Sequence, residues 1–79
     1  MDRARTDLAY AVDHIVPVLN DEGYFVEMDS CAIDGQYVLA RQLGSASNRV
    51  RGIGQGSTAS KRIAWALCEV FSKVMEAQK

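Results

Sequence analysis

The sequence predicts an α+β fold in the order αβββα, a three-stranded antiparallel sheet with two helices packed on it. Three observations carry this reading. Apolar residues near both ends recur at helical spacing, those in the middle alternate as in half-buried strands, and Gly, Asn, Asp and Ser mark the joints. The 79 residues read as one domain, 1–79, and an apolar content of 48% suffices for one core between two layers.

The first helix is expected over Thr6–Asn20. Leu8, Val12, Ile15 and Leu19 form one stripe at about 100° per residue. Thr6 suits the N-cap, and Asp7 suits the positive end of the helix dipole. Pro17 removes the amide that would bond Asp13, so a kink or thinning is expected there. Gly23 is the natural stop. Tyr24–Asp29 then alternates as a strand, with Tyr24, Val26 and Met28 on one side and Phe25, Glu27 and Asp29 on the other. Ile33-Asp34-Gly35-Gln36 reads as a hairpin turn. Gln36–Leu43 is the second strand, Gly44–Asn48 a turn, and Arg49–Ile53 a short third strand with Val50 inward and Arg49 and Arg51 outward. The second helix is expected from Thr58 to Glu76, with Ile63, Leu67, Val70 and Val74 on one face, flanked by Ala66 and Phe71.

Charge divides along the chain. Residues 1–34 hold eight acids against two bases, and residues 35–79 hold seven bases against two acids. A molecule with an acidic and a basic pole is one outcome, mutual neutralisation across the fold the other. No apolar run reaches the roughly 18 residues that span a bilayer. The N-terminus shows no signal-peptide pattern, so the expected location is the cytoplasm. Cys31 and Cys68 are expected as reduced thiols, with an intermolecular disulfide as the alternative. With no CxxC and His14 as the only histidine, no metal site and no cofactor are expected.

Three features bear on function. The first is the glycine-punctuated basic stretch from Arg49 to Arg62. Gly52, Gly54 and Gly56 would let a partner approach the backbone, Ser57 or Thr58 can cap the helix, and Arg49, Arg51, Lys61 and Arg62 flank its positive end. The stretch fits neither the phosphate-binding loop, whose lysine follows a glycine, nor the dinucleotide fingerprint, which needs a parallel βαβ unit. The second is Trp65, opposite the apolar stripe on the helical wheel, where a partner contact competes with cover from the first helix or the N-terminal tail. Tyr10 and His14 would widen such a patch. The third is the sheet face left open by the helices, with Phe25, Glu27, Tyr37, Leu39 and Arg41. One histidine and no nucleophile–base spacing give no support to an enzyme.

Two resemblances follow from these residues. The αβββα order, with Ser60-Lys61-Arg62 opening the last helix after a Gly-rich strand, resembles the double-stranded RNA-binding domain. This implies phosphate contacts from Ser60, Lys61 and Arg62. Thr6–Val12, Gly23-Tyr24 and Gly56–Leu67 resemble small phage-encoded αβββα proteins of the ABA-sandwich type. Accessory factors, anti-CRISPR inhibitors among them, are common at this size, and the resemblance implies no catalytic residues.

The expected function is therefore a non-enzymatic phage or mobile-element protein that binds a host protein complex, an anti-CRISPR inhibitor of a CRISPR effector being the case in view. Arg49, Arg51, Lys61, Arg62 and Trp65 would form its contact surface. Asp21, Glu22, Glu27 and Asp29 offer an acidic alternative that mimics nucleic-acid phosphates. The competing expectation is a nucleic-acid-binding module using the basic loop. A homodimer is also expected, from Trp65 and the sheet face.

Overall fold

A computed structural model describes residues 3–31, 35–44 and 48–77. The elements are α1 (Leu8–Asp21), β1 (Tyr24–Cys31), β2 (Gly35–Gln42), β3 (Arg49–Ile53) and α2 (Ala59–Ala77), in the predicted αβββα order. The sheet is antiparallel with β2 in the centre. Both helices cover the same face, because the buried strand residues Tyr24, Val38 and Ala40 and the buried Gly52 all lie on that side. α2 packs over β2 and β3, and α1 over β1 and the flank of α2. The expected Ile33–Gln36 turn falls mostly outside the described residues, but Cys31 pairs with Gly35 across it. The Gly44–Asn48 turn is also only partly described, and there the Asn48 carbonyl accepts the Gln42 amide at 3.0 Å.

The N-cap of α1 is Asp7 rather than Thr6. The Asp7 carboxylate accepts the Tyr10 amide at 3.1 Å, while Thr6 sits in a turn whose amide bonds the Arg3 carbonyl. That backbone hydrogen bond holds the Asp7 carboxyl below its ordinary pKa of 3.8. Pro17 does not end the helix. It lies on the exposed side, between the fully buried Ile15 and Leu19, and the helix continues another turn to Asp21. The carbonyl that loses its donor belongs to Asp13, itself exposed, so water can satisfy it. Gly23, at φ +87°, follows as the stop.

Ile15, Leu19, Val38, Leu67, Val70 and Val74 are fully buried and form the core. Each such side chain contributes about 1.5–3 kcal/mol through burial. α2 is buried on two sides rather than on the single stripe its sequence suggests. Ala64, Cys68, Phe71 and Met75 also pack into the core, because the α1 layer and the N-terminal segment lie along its second flank. Within that segment Ala4 is completely buried.

The glycines in and just after β3 serve this packing. A side chain on Gly52 would strike the Ala66 carbonyl, and one on Gly54 would strike the Arg62 carbonyl. Their missing side chains thus admit α2, not an outside partner as the sequence suggests.

Candidate functional site: the basic edge and the open sheet face

β3 is an edge strand, and α2 runs above it, so their side chains meet along one border of the molecule. There Arg51, Ile53, Gln55, Trp65, Glu69 and Lys73 line a groove of about 480 Å³. Trp65, Glu69 and Lys73 reach it together because residues four apart share a helix face. Trp65 is half-buried rather than standing free. The Arg5 guanidinium lies 4.5 Å from its ring centre and also pairs with Glu69 at 3.4 Å. Cover from the N-terminal segment is therefore what Trp65 receives on one side, while the groove remains on the other.

Lys73 has a second task. Its Nζ donates to the Arg51 carbonyl at 2.8 Å. The β2–β3 register turns that carbonyl away from β2, toward the open edge. A charged side chain at this point blunts the edge against pairing with another strand.

The remaining basic residues are distributed differently. Lys61 is exposed one turn before Trp65, where its amide bonds the Thr58 hydroxyl that caps α2. Arg62 turns inward: its guanidinium bonds the Gln36 side chain and the Gly56 carbonyl at 3.1 Å, pinning the loop between β3 and α2 to the start of β2. Arg49 and Arg51 stand on the sheet face away from the helices and, with Tyr37 and Leu39, line a shallow depression of about 420 Å³.

That face is ordered by strand register. Phe25, Arg41 and Arg49 form one row, Glu27, Leu39 and Arg51 the next, and Asp29, Tyr37 and Ile53 the third. Its acids therefore lie on β1 and its bases on β2 and β3. Arg41 pairs with Glu27, and the Arg51 guanidinium stacks 4.6 Å from the Tyr37 ring centre. Asp29 accepts the Ser30 amide at 2.8 Å, which covers an outward amide of the β1 edge. Phe25 and Ile53 are 58% and 48% exposed.

The four acidic candidates do not gather into one patch. Asp21 and Glu22 sit where α1 ends, whereas Glu27 and Asp29 lie on the open face. Tyr10 and His14 stack on α1, ring centres 4.0 Å apart, with Arg3 over Tyr10. The His14 ring nitrogen Nδ1 lies 2.9 Å from the Tyr10 carbonyl, on the exposed side of the helix. Among the described residues no cluster of His, Cys, Asp and Glu could hold a metal ion, and no helix is long and apolar enough to cross a membrane.

Sequence reasoning missed Lys73, Glu69, Gln55 and Ile53 as groove residues. A signal for the first two was present, since both follow Trp65 at spacings of four and eight. No family model, curated protein or solved structure matches the chain.

Proposed function

We propose that the protein is a non-enzymatic binding module that grips an acidic surface of a host protein complex along the groove between β3 and α2. The observation that carries this reading is the meeting of an indole, Trp65, with the cationic side chains of Arg51 and Lys73 in one open groove on an edge of the fold. Tryptophan and arginine dominate interface hot spots because they combine large contact area with directed polar groups. Lys61, one turn along α2, extends the same basic border. The resemblance to small phage proteins names the complex to test first, a CRISPR effector that the protein would inhibit.

The test is phage plaquing on a CRISPR-immune bacterial host that expresses the protein, beside co-purification of the effector. Restored plaquing that Trp65→Ala and Lys73→Glu each remove, with folding intact by circular dichroism, is the expected result. Undiminished immunity against every effector type tried would exclude the inhibitor role. Co-purification that neither substitution weakens would exclude the groove.

A second reading is a duplex-RNA binder, favoured by Ser60 and Lys61 standing exposed at the start of α2. Arg62, engaged with Gln36 and Gly56, leaves that reading fewer cations. Binding to duplex RNA that strengthens as salt falls and is lost in Lys61→Glu would favour it over a protein partner.

A further inference from the structure

The open sheet face carries opposite charge on its two outer strands. Across it the charge runs from acid on β1, through the paired Arg41 on β2, to base on β3. We propose that a second copy of this chain docks face to face on it, about a two-fold axis parallel to β2. A two-fold axis in that direction exchanges left and right, so β1 of each copy lies over β3 of the other. Glu27 then faces Arg51 of the second copy, twice by symmetry, and Leu39 on the axis meets Leu39. Phe25 lies over Arg49 of the second copy, an arrangement in which a guanidinium meets an exposed aromatic face. Arg41 meets its own equivalent, but each carries Glu27 of its own chain as counter-charge. A two-fold axis across the strands would instead set β1 on β1, acid against acid.

Two further considerations favour this arrangement. Facing sheets in known packings keep their strands within about 30° of one another, which an axis along β2 satisfies. Both sheet edges are blunted, by Lys73 at the Arg51 carbonyl and by Asp29 at the Ser30 amide, so strand addition is the poorer route to a dimer. The groove holding Trp65 lies on the border and shares Arg51 and Ile53 with this face, whereas Glu27 and Leu39 belong to the face alone, so substitutions at those two separate the dimer from the function proposed above.

The experiment is sedimentation velocity with light scattering on the full chain from low micromolar to millimolar concentration. The wild type is expected to reach dimer mass. Glu27→Arg and Arg51→Glu should each weaken dimerisation at least tenfold, and the double swap should recover part of it, because the swapped pair is again complementary across the axis while Arg41 has lost its Glu27 counter-charge. Leu39→Glu, which puts two carboxylates together on the axis, should give a monomer. Circular dichroism checks that each variant is folded, and Arg49→Glu replaces any that is not. A wild type that stays monomeric at millimolar concentration overturns the proposal, whatever else it binds. A dimer indifferent to Leu39→Glu and to both single swaps overturns it equally, because the contact then lies elsewhere.

Discussion

Replacing Gly52 by alanine tests the reasoning about β3 and α2 most directly, since two effects of opposite sign compete there. In an ordinary strand, Gly→Ala gains roughly 0.5–1 kcal/mol by removing backbone freedom from the unfolded chain. At Gly52 the added methyl would lie 3.0 Å from Val70 Cγ2 and 3.1 Å from Glu69 Cβ, and closer still to the Ala66 carbonyl oxygen. The two side-chain atoms could yield by a few tenths of an ångström. The carbonyl cannot, because it belongs to the helix backbone, so α2 must lift from the sheet as a body and loosen Val70 and Leu67 with it. Overpacking of a tight core costs about 1–3 kcal/mol, and a backbone clash belongs at the upper end. With the entropic gain subtracted, a net loss of about 2 kcal/mol is expected, equivalent to roughly 8–16 °C in Tm for a domain this small. Urea and thermal melts followed by far-ultraviolet circular dichroism measure it. A Gly52→Ala protein as stable as the wild type, or more so, would show that α2 does not sit as closely on β3 as described.

Further outcomes follow from the N-terminal segment, the helix cap and the buried thiol. Arg5→Ala should cost about 1 kcal/mol, the order of a partly desolvated cation–π contact, and should shift the emission of Trp65, the only tryptophan, to longer wavelength. Unchanged fluorescence would place Arg5 away from the indole. Asp7 has a lowered folded pKa, so its contribution is present above the ordinary value of 3.8 and is lost as pH falls through the lowered one. Asp7→Asn keeps an N-cap acceptor but cannot titrate, and its stability should decline less steeply on acidification than that of the wild type. Burial raises the Cys68 thiol above its ordinary 9.0, so the folded state loses stability as pH rises past that value. Cys68→Ala should flatten the alkaline limb, and native Cys68 should react with a maleimide only as fast as the protein opens.

The architecture was largely legible because each middle segment declares its face by alternation. Val38 and Ala40 read as inward, Tyr37, Leu39 and Arg41 as outward, and the register bears this out. The basic border was legible in outline, since Arg51, Lys61 and Trp65 stand out in the sequence, but their relations were not. Periodicity gives an angle around α2 and says nothing of what lies beside it, which is why the single stripe read there does not extend to Cys68 and Met75. Ala64, Cys68, Phe71 and Met75 together left little of the helix middle polar, and that breadth was the readable sign of burial on two sides. The burial of Ala4 had no such sign, because a short turn among charged residues carries no periodic pattern. Arg62 illustrates the same limit: only the fold brings Gln36 beside it.

The position of α2 has a consequence for synthesis on the ribosome. It supplies Leu67, Val70 and Val74 to the core and receives the N-terminal segment through Ala4, Arg5 and Glu69, so the first and last parts of the chain close on each other. While translation is under way, β1, β2 and β3 can pair, but the apolar side of Val38 and Ala40 stays bare until α2 has been made. With α1 over β1 only, the nascent sheet therefore waits with β2 and β3 uncovered on both faces, and a holdase chaperone that shields β-strands would act on this protein until α2 emerges.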